Sequence, residues 1–227
     1  MKLKLLSIDL EMNYLPEAFN YLRRADKRFD FIIDELPEFT FEAPPLPYVG
    51  LMSSVASQQL STKVAKVIWL RFLDLFEDKF PHAIIVKEMD KEVLRSIGFS
   101  YAKAQYVINI AEHFHEMNHS NENLVNLSDD ELLKTLTAIK GVGEWTVQML
   151  QIFNLHKTDI WPIKDLGVQQ GFAKMYQLDA TDKDLPKKMT IIAEKWRPYR
   201  SAASLLLWKW KDSGFPNLAK VLAVKGM

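Results

Sequence analysis

Cysteine is absent from the 227 residues, and that one absence removes thiol nucleophiles, disulfides, cysteine-ligated zinc and iron–sulfur clusters together. Long apolar runs are absent as well. None approaches the roughly 18 residues that a membrane helix needs, although hydrophobic residues make up 48% of the chain. The opening stretch MKLKLLSIDLEMNYL places Asp9 and Glu11 directly behind a short apolar run, which a secretory signal avoids. A globular protein of the cytosol is expected, or of the nucleus in a eukaryote, with no membrane association. Histidine is sparse, at 5 residues, and HFHEMNH sets His115 and His119 one helical turn apart. No partner carboxylate motif follows that pair, so a solvated helix face is favoured over a zinc site.

Net charge is missing too: 29 basic residues balance 29 acidic ones. That balance speaks against a nucleic-acid partner until the distribution is read. From Lys183 to the C-terminus ten basic residues face three acidic ones, a local excess of +7 that leaves −7 for the rest. One end of the chain can attract phosphate while the other repels it. Basic helix faces that are merely solvated explain this feature equally well.

What is present is helical periodicity along almost the whole chain, punctuated by glycine and proline. PEAFNYLRRADKRFDFIIDEL reads as one or two amphipathic helices, and FTFEAPPLPYVG as a connector that is not helical through Pro44, Pro45 and Pro47. LMSSVASQQLSTKVAKVIWLRFLDLF gives two helices joined near Gln59 to Ser61, and a further break falls at Gly98. Ser128 with Glu131 three residues later forms a capping box that marks a helix start. A short strand near the N-terminus is the only β candidate. The expected fold is all-α, in one large domain or two lobes.

Two stretches carry chemistry. In LKTLTAIKGVGEWTVQML, Leu133, Leu136 and Ile139 keep helical spacing before Gly141-Val142-Gly143, and Trp145, Met149 and Phe153 keep it after. A helix that ends in a glycine turn and passes to a second helix aims backbone N–H groups and a positive dipole end in one direction, an anion site that a DNA phosphate fits. An αα-hairpin with a glycine C-cap accounts for the same pattern taken alone. In WPIKDLGVQQGF, Asp165 follows a proline and opens a helix, where an N-cap is the plain alternative to a functional carboxylate. EKWRPYRSAA then sets Trp196, Arg197, Tyr199 and Arg200 before an apolar helix.

Taken in this order, these segments resemble the helix-hairpin-helix superfamily of DNA glycosylases, in its alkylbase branch, DNA-3-methyladenine glycosylase II. LTAIKGVGEWTVQML is similar to the family's hairpin, PIKDLGVQQGF to its P-x-D-D-L-G segment, and EKWRPYRSAA to its E-x-W-x-P-[YW]-R-S block. VASQQLSTKVA and IGFSYAKAQYV resemble two further blocks, and the likeness runs from about Phe19 to Trp210. Lys164 replaces the first aspartate of the pair, and the chain begins too near its first helical block to hold the N-terminal β-rich domain of longer bacterial members, so a compact member is expected.

The resemblance implies two helical lobes with an active-site cleft between them: residues 1–48 and 160–227 in a discontinuous terminal lobe, and 49–159 in a central lobe with the hairpin at about 133–153. It implies that Asp165 is catalytic, and that Trp145, Tyr199, Met149, Trp161 and Tyr48 line a base pocket. DNA contacts are implied for Gly141, Gly143, Gln58, Gln59, Leu60, Ser61 and Arg200, with Gln59 and Leu60 as the wedge that fills the gap of a flipped base. The carbonyls of Thr137, Ile139 and Val142 match a family site for a structural monovalent cation, Na+ or K+, and no cofactor is required for catalysis. Tryptophan at Trp145 stands where bifunctional relatives carry a Schiff-base lysine, so a monofunctional glycosylase is implied, acting as a monomer on double-stranded DNA that contains alkylated purines. A bifunctional or oxidised-base glycosylase of the same fold, or a non-catalytic helix-hairpin-helix DNA-binding protein, is the alternative.

Overall fold

The computed structural model describes residues 12–36, 46–116 and 124–224, with the side chain of Thr62 left aside. The N-terminal strand candidate, Pro44, Pro45 and His119 lie outside the described residues. Every regular element among those described is helical, and none of these helices is long and apolar enough to cross a membrane. No group of three or more His, Asp or Glu side chains suited to a metal ion occurs among them.

The chain divides into two compact units. The first, within residues 46–155, is built around the helix Pro47–Ser57, which buries Tyr48, Val49, Leu51, Met52, Val55 and Ala56. Ser53, Ser54 and Ser57 form its half-buried polar strip, and the wide apolar remainder of its surface is stable only when covered. It packs against Tyr101–Glu116, Glu144–Phe153 and Thr62–Leu73. Approach to Asn154 is so close that a Cβ on Gly50 would lie 2.3 Å from the Asn154 amide. Full burial of Leu51, Met52 and Val55 stabilises by about 1.5–3 kcal/mol each.

The sequence expectation of a non-helical Pro47 is corrected here. Pro47 is the first residue of its helix, where the missing N–H belongs to an orphan position and the fixed φ already suits the helix. Tyr48 moves with it: its ring packs on Phe114 at 5.1 Å inside this core, so it belongs to the central unit rather than the terminal one.

The second unit joins residues 12–36 to 156–224. Its centre is an aromatic cluster in which Trp196, Phe29 and Phe172 are fully buried, and Trp210, also fully buried, packs on Phe215. The two distant segments are tied together at Asp26, whose side chain is 1% exposed. Lys195 Nζ lies 2.9 Å from its Oδ2, Arg28 Nη1 lies 3.1 Å from its Oδ1, and the Tyr176 hydroxyl donates to it. Burial by itself raises the Asp26 pKa, but these donors and the Lys195 charge outweigh it and hold the carboxyl below its ordinary value. Residues 156–159 also belong to this unit: the Ser201 N–H donates to the Thr158 carbonyl at 3.0 Å.

Candidate nucleic-acid interface and catalytic carboxylate

In the central unit, the helices Asp129–Thr137 and Glu144–Phe153 form the hairpin. The first starts at the capping box, with the Glu131 N–H on Ser128 Oγ at 3.3 Å and the Ser128 N–H on Glu131 Oε2 at 2.9 Å. Leu132 and Leu136 anchor it in the core, and Ile139 and Val142 turn inward across the loop. The Val142 N–H donates to the Ile139 carbonyl at 3.0 Å and closes the turn.

The two glycines of the turn differ in purpose. Gly141 has φ +105°, and a Cβ there would sit 2.1 Å from Tyr106 Cγ, so both conformation and contact demand glycine. Gly143 is extended, at φ −99° and ψ 170°, and a Cβ there would meet nothing within 4 Å. As the N-cap of Glu144–Phe153 it supplies no side-chain acceptor. The positive end of the helix dipole therefore opens onto clear space beside Gly143, the geometry that an incoming anion uses. Behind it, Trp145 is half-buried, while Met149 one turn further on is 7% exposed.

Gln59, Leu60 and Ser61 are exposed on the turn after Pro47–Ser57, and Gln59 holds a left-handed φ of +57°. Ser61 is the N-cap of Thr62–Leu73, its Oγ accepting from the Val64 N–H at 3.4 Å. Gln58 departs from the expected role. Its amide donates to Thr146 Oγ1 at 3.0 Å and to the Gly141 carbonyl at 3.4 Å, so it braces the wedge turn against the hairpin instead of presenting itself to DNA.

In the terminal unit, Asp165 is the N-cap of Leu166–Tyr176. Its Oδ1 accepts from the Val168 N–H at 2.8 Å and from the indole Nε1 of Trp208 at 2.7 Å. Two N–H donors on one oxygen fix the orientation of the carboxylate in a half-buried setting. Sequence reasoning missed Trp208. It lies 43 residues away on Arg200–Asp212, with no local pattern linking it to Asp165. Gly167 clears its path: a Cβ there would lie 2.7 Å from Trp208 Cδ1, 2.9 Å from its Nε1 and 3.1 Å from Asp165 Oδ1. The glycine of D-L-G is thus required by the tryptophan that reaches the aspartate. Lys164 is exposed.

The other expected residues of this unit are engaged elsewhere. Arg200, 11% exposed at its side chain, holds Asp159 with Nε–Oδ1 at 2.7 Å and Nη2–Oδ2 at 3.0 Å. A guanidinium clamped on a carboxylate in this way is a structural tie between 159 and the helix it opens, not a phosphate contact. Trp161 is buried against Trp196 at 5.3 Å and Phe172 at 6.1 Å, and its Nε1 has no hydrogen-bond partner among the described residues. Tyr199 stacks on Tyr14 at 6.4 Å and meets the edge of Tyr21 at 5.4 Å. A hydrogen bond to Glu17 raises its pKa, and burial alone raises that of Tyr14 to about 12. Burial likewise pushes the Tyr48 phenol up. Trp161 and Tyr48 are core residues here, and Trp145 and Tyr106 are half-buried aromatic side chains beside the hairpin turn.

These features define a helix-hairpin-helix protein with a fixed carboxylate at a helix N-terminus. The chain belongs to the HhH-GPD superfamily of base excision DNA repair proteins, whose model matches residues 52–198. It is 38% identical over 167 residues to DNA-3-methyladenine glycosylase 1 of Schizosaccharomyces pombe, covering 72% of each chain. Among solved structures, the 3-methyladenine DNA glycosylase Mag1 of the same yeast, in complex with abasic DNA, superposes with a TM-score of 0.78 at 32% identity, over 86% of this chain and 97% of that one. A DNA-3-methyladenine glycosidase of Bacillus halodurans gives a TM-score of 0.73 at 28% identity, over 90% and 94% of the two chains.

Proposed function

We propose that this protein is a monofunctional DNA glycosylase that takes alkylated purines such as 3-methyladenine and 7-methylguanine out of duplex DNA and hydrolyses their N-glycosidic bonds, leaving abasic sites. The observation that carries the reading is the Asp165 carboxylate, fixed by the Val168 N–H and the Trp208 indole at a helix N-terminus, in a chain whose hairpin bears Trp145 rather than a lysine. The names of the relatives support the substrate class, and the abasic DNA bound by the S. pombe structure supports the partner.

An alkylated purine carries a positive charge and leaves without a general acid. As the bond to C1′ lengthens, positive charge builds on the sugar, and an oriented carboxylate stabilises it and then assists the water that adds to C1′. Trp145 offers an aromatic face that favours a cationic base over a neutral one by about 0.5–2 kcal/mol. The Gly143 side of the hairpin receives a phosphate, and Gln59 and Leu60 enter the stack behind the flipped nucleotide. A hairpin cation fits the donor set: Thr137, Ile139 and Val142 offer backbone carbonyls, hard oxygens suited to Na+ or K+. Thr137 ends the first hairpin helix, where carbonyls lack intrahelical donors. Such an ion would steady the turn for phosphate and would take no part in bond breaking. The enzyme acts as a monomer wherever the chromosome lies.

The test is release of free base from methylated duplex DNA by wild type and Asp165→Asn at matched DNA affinity. Free 7-methylguanine, alkali-labile sites without nicking and no borohydride-trapped adduct are expected from wild type, and no release from the variant. DNA binding without base release by either protein overturns the proposal.

A further inference from the structure

Lys103 pairs with no carboxylate among the described residues. It lies on Tyr101–Glu116, in the same unit as the hairpin, and its Nζ donates to the Ala56 carbonyl at 2.8 Å and the Gln58 carbonyl at 2.5 Å. Two backbone oxygens hold the ammonium, and burial lowers its pKa. Both carbonyls belong to the C-terminal end of Pro47–Ser57, where a cation meets the negative end of the helix dipole.

The Gln58 carbonyl is the informative one. The Leu60 N–H donates to the Ser57 carbonyl at 3.2 Å, so Ser57 to Leu60 form a β-turn. Gln58 has φ −49° and ψ 131°, and Gln59 has φ +57°, the pattern of a type II turn. That turn type favours glycine at its third position, yet a glutamine occupies it in the left-handed region. Rotating the single peptide between Gln58 and Gln59 gives a type I turn and relieves Gln59. The same rotation swings the Gln58 carbonyl to the opposite face, away from the Lys103 ammonium. The Gln58 side chain, bonded to Thr146 and Gly141, anchors the near end of the turn but leaves that peptide free to choose its face.

We propose that Lys103 is a positioning residue that holds the Gln58–Gln59 peptide in its type II orientation and thereby aims Gln59 and Leu60 into the gap left by the flipped nucleotide. The inference rests on the wedge reading of those two residues given above. Lys103 touches neither the base nor the sugar. Its effect is on how readily a paired lesion leaves the helix.

The experiment uses the full chain and two duplexes, one with 7-methylguanine paired to cytosine and one with the same lesion opposite a tetrahydrofuran abasic analogue, where no pair has to be broken. Single-turnover excision rates are taken for wild type, Lys103→Met, Lys103→Arg and the double variant Gln59→Ala/Leu60→Ala. Lys103→Met is expected to slow excision of the paired lesion by about tenfold and that of the unpaired one by about twofold or less, because a misaimed side chain matters where the pair resists. Lys103→Arg, which spans both carbonyls, is expected to restore most of the rate. The ratio of the two rates is measured on one preparation, so partial unfolding of a variant does not mimic the effect. Equal slowing on both duplexes, or none on either, overturns the role of Lys103. Full excision of the paired lesion by Gln59→Ala/Leu60→Ala overturns the wedge reading itself, a distinct result.

Discussion

Replacing Trp208 with phenylalanine keeps an aromatic ring on its helix and deletes the indole N–H that donates to Asp165 Oδ1 at 2.7 Å. A hydrogen bond to a charged acceptor contributes about 1.5–3 kcal/mol, and the partial exposure of Trp208 places this one at the lower end. At 1.36 kcal/mol per factor of ten, the expected loss in the chemical step is about 10- to 30-fold. The Val168 N–H still caps the aspartate, so the loss falls short of that from Asp165→Asn. Gly167→Ala attacks the same bond from the other side, since the new Cβ would lie 2.9 Å from Trp208 Nε1 and must displace it. One bond can be lost only once. The double variant is therefore expected to be no slower in single-turnover release of 7-methylguanine than the slower single one, with affinity for undamaged duplex unchanged throughout. Single effects that multiply in the double variant, or a Trp208→Phe enzyme with the wild-type rate, refute the claim that the indole orients the carboxylate.

Gly141→Ala places a methyl group 2.1 Å from Tyr106 Cγ at a φ of +105°, and a loss of about 3 kcal/mol in urea unfolding follows from backbone strain plus overpacking. Gly143→Ala meets no atom within 4 Å and keeps an extended φ. Its folding stability is expected to stay within about 0.5 kcal/mol of wild type, while its affinity for duplex DNA falls because the methyl group occupies the phosphate approach. Asp26 links stability to pH: its folded pKa lies below the unfolded one, so its contribution is present above the ordinary aspartate value and is lost as pH falls through the folded value. Urea midpoints between pH 6 and pH 3 should drop steeply in wild type and shallowly in Asp26→Asn. At pH 7 that variant should already be about 3–5 kcal/mol less stable, with Lys195 and Arg28 left without their shared carboxylate.

Local sequence was enough for whatever local physics decides. Ser128 and Glu131 three apart dictate a capping box, Gly141-Val142-Gly143 dictates a break between two helices, and the absence of cysteine excludes a cluster, because each depends on neighbours a few bonds away. The ordered blocks were equally legible, and with them the family. Tertiary structure decided how the side chains are committed. Arg200 reads as a DNA contact until Asp159, 41 residues away, takes its guanidinium. Trp161 and Tyr48 read as pocket aromatics until Trp196 and Phe114 enclose them. Trp208 carried no motif weight and Lys103 stood in the IGFSYAKAQYV block with no role attached, yet the indole meets Asp165 across 43 positions and the ammonium meets the Gln58 carbonyl across 45. Pairings that distant leave no periodic trace along the chain. A hydrogen bond needs its partners within about 3 Å, and only the packing of whole helices brings such residues that close.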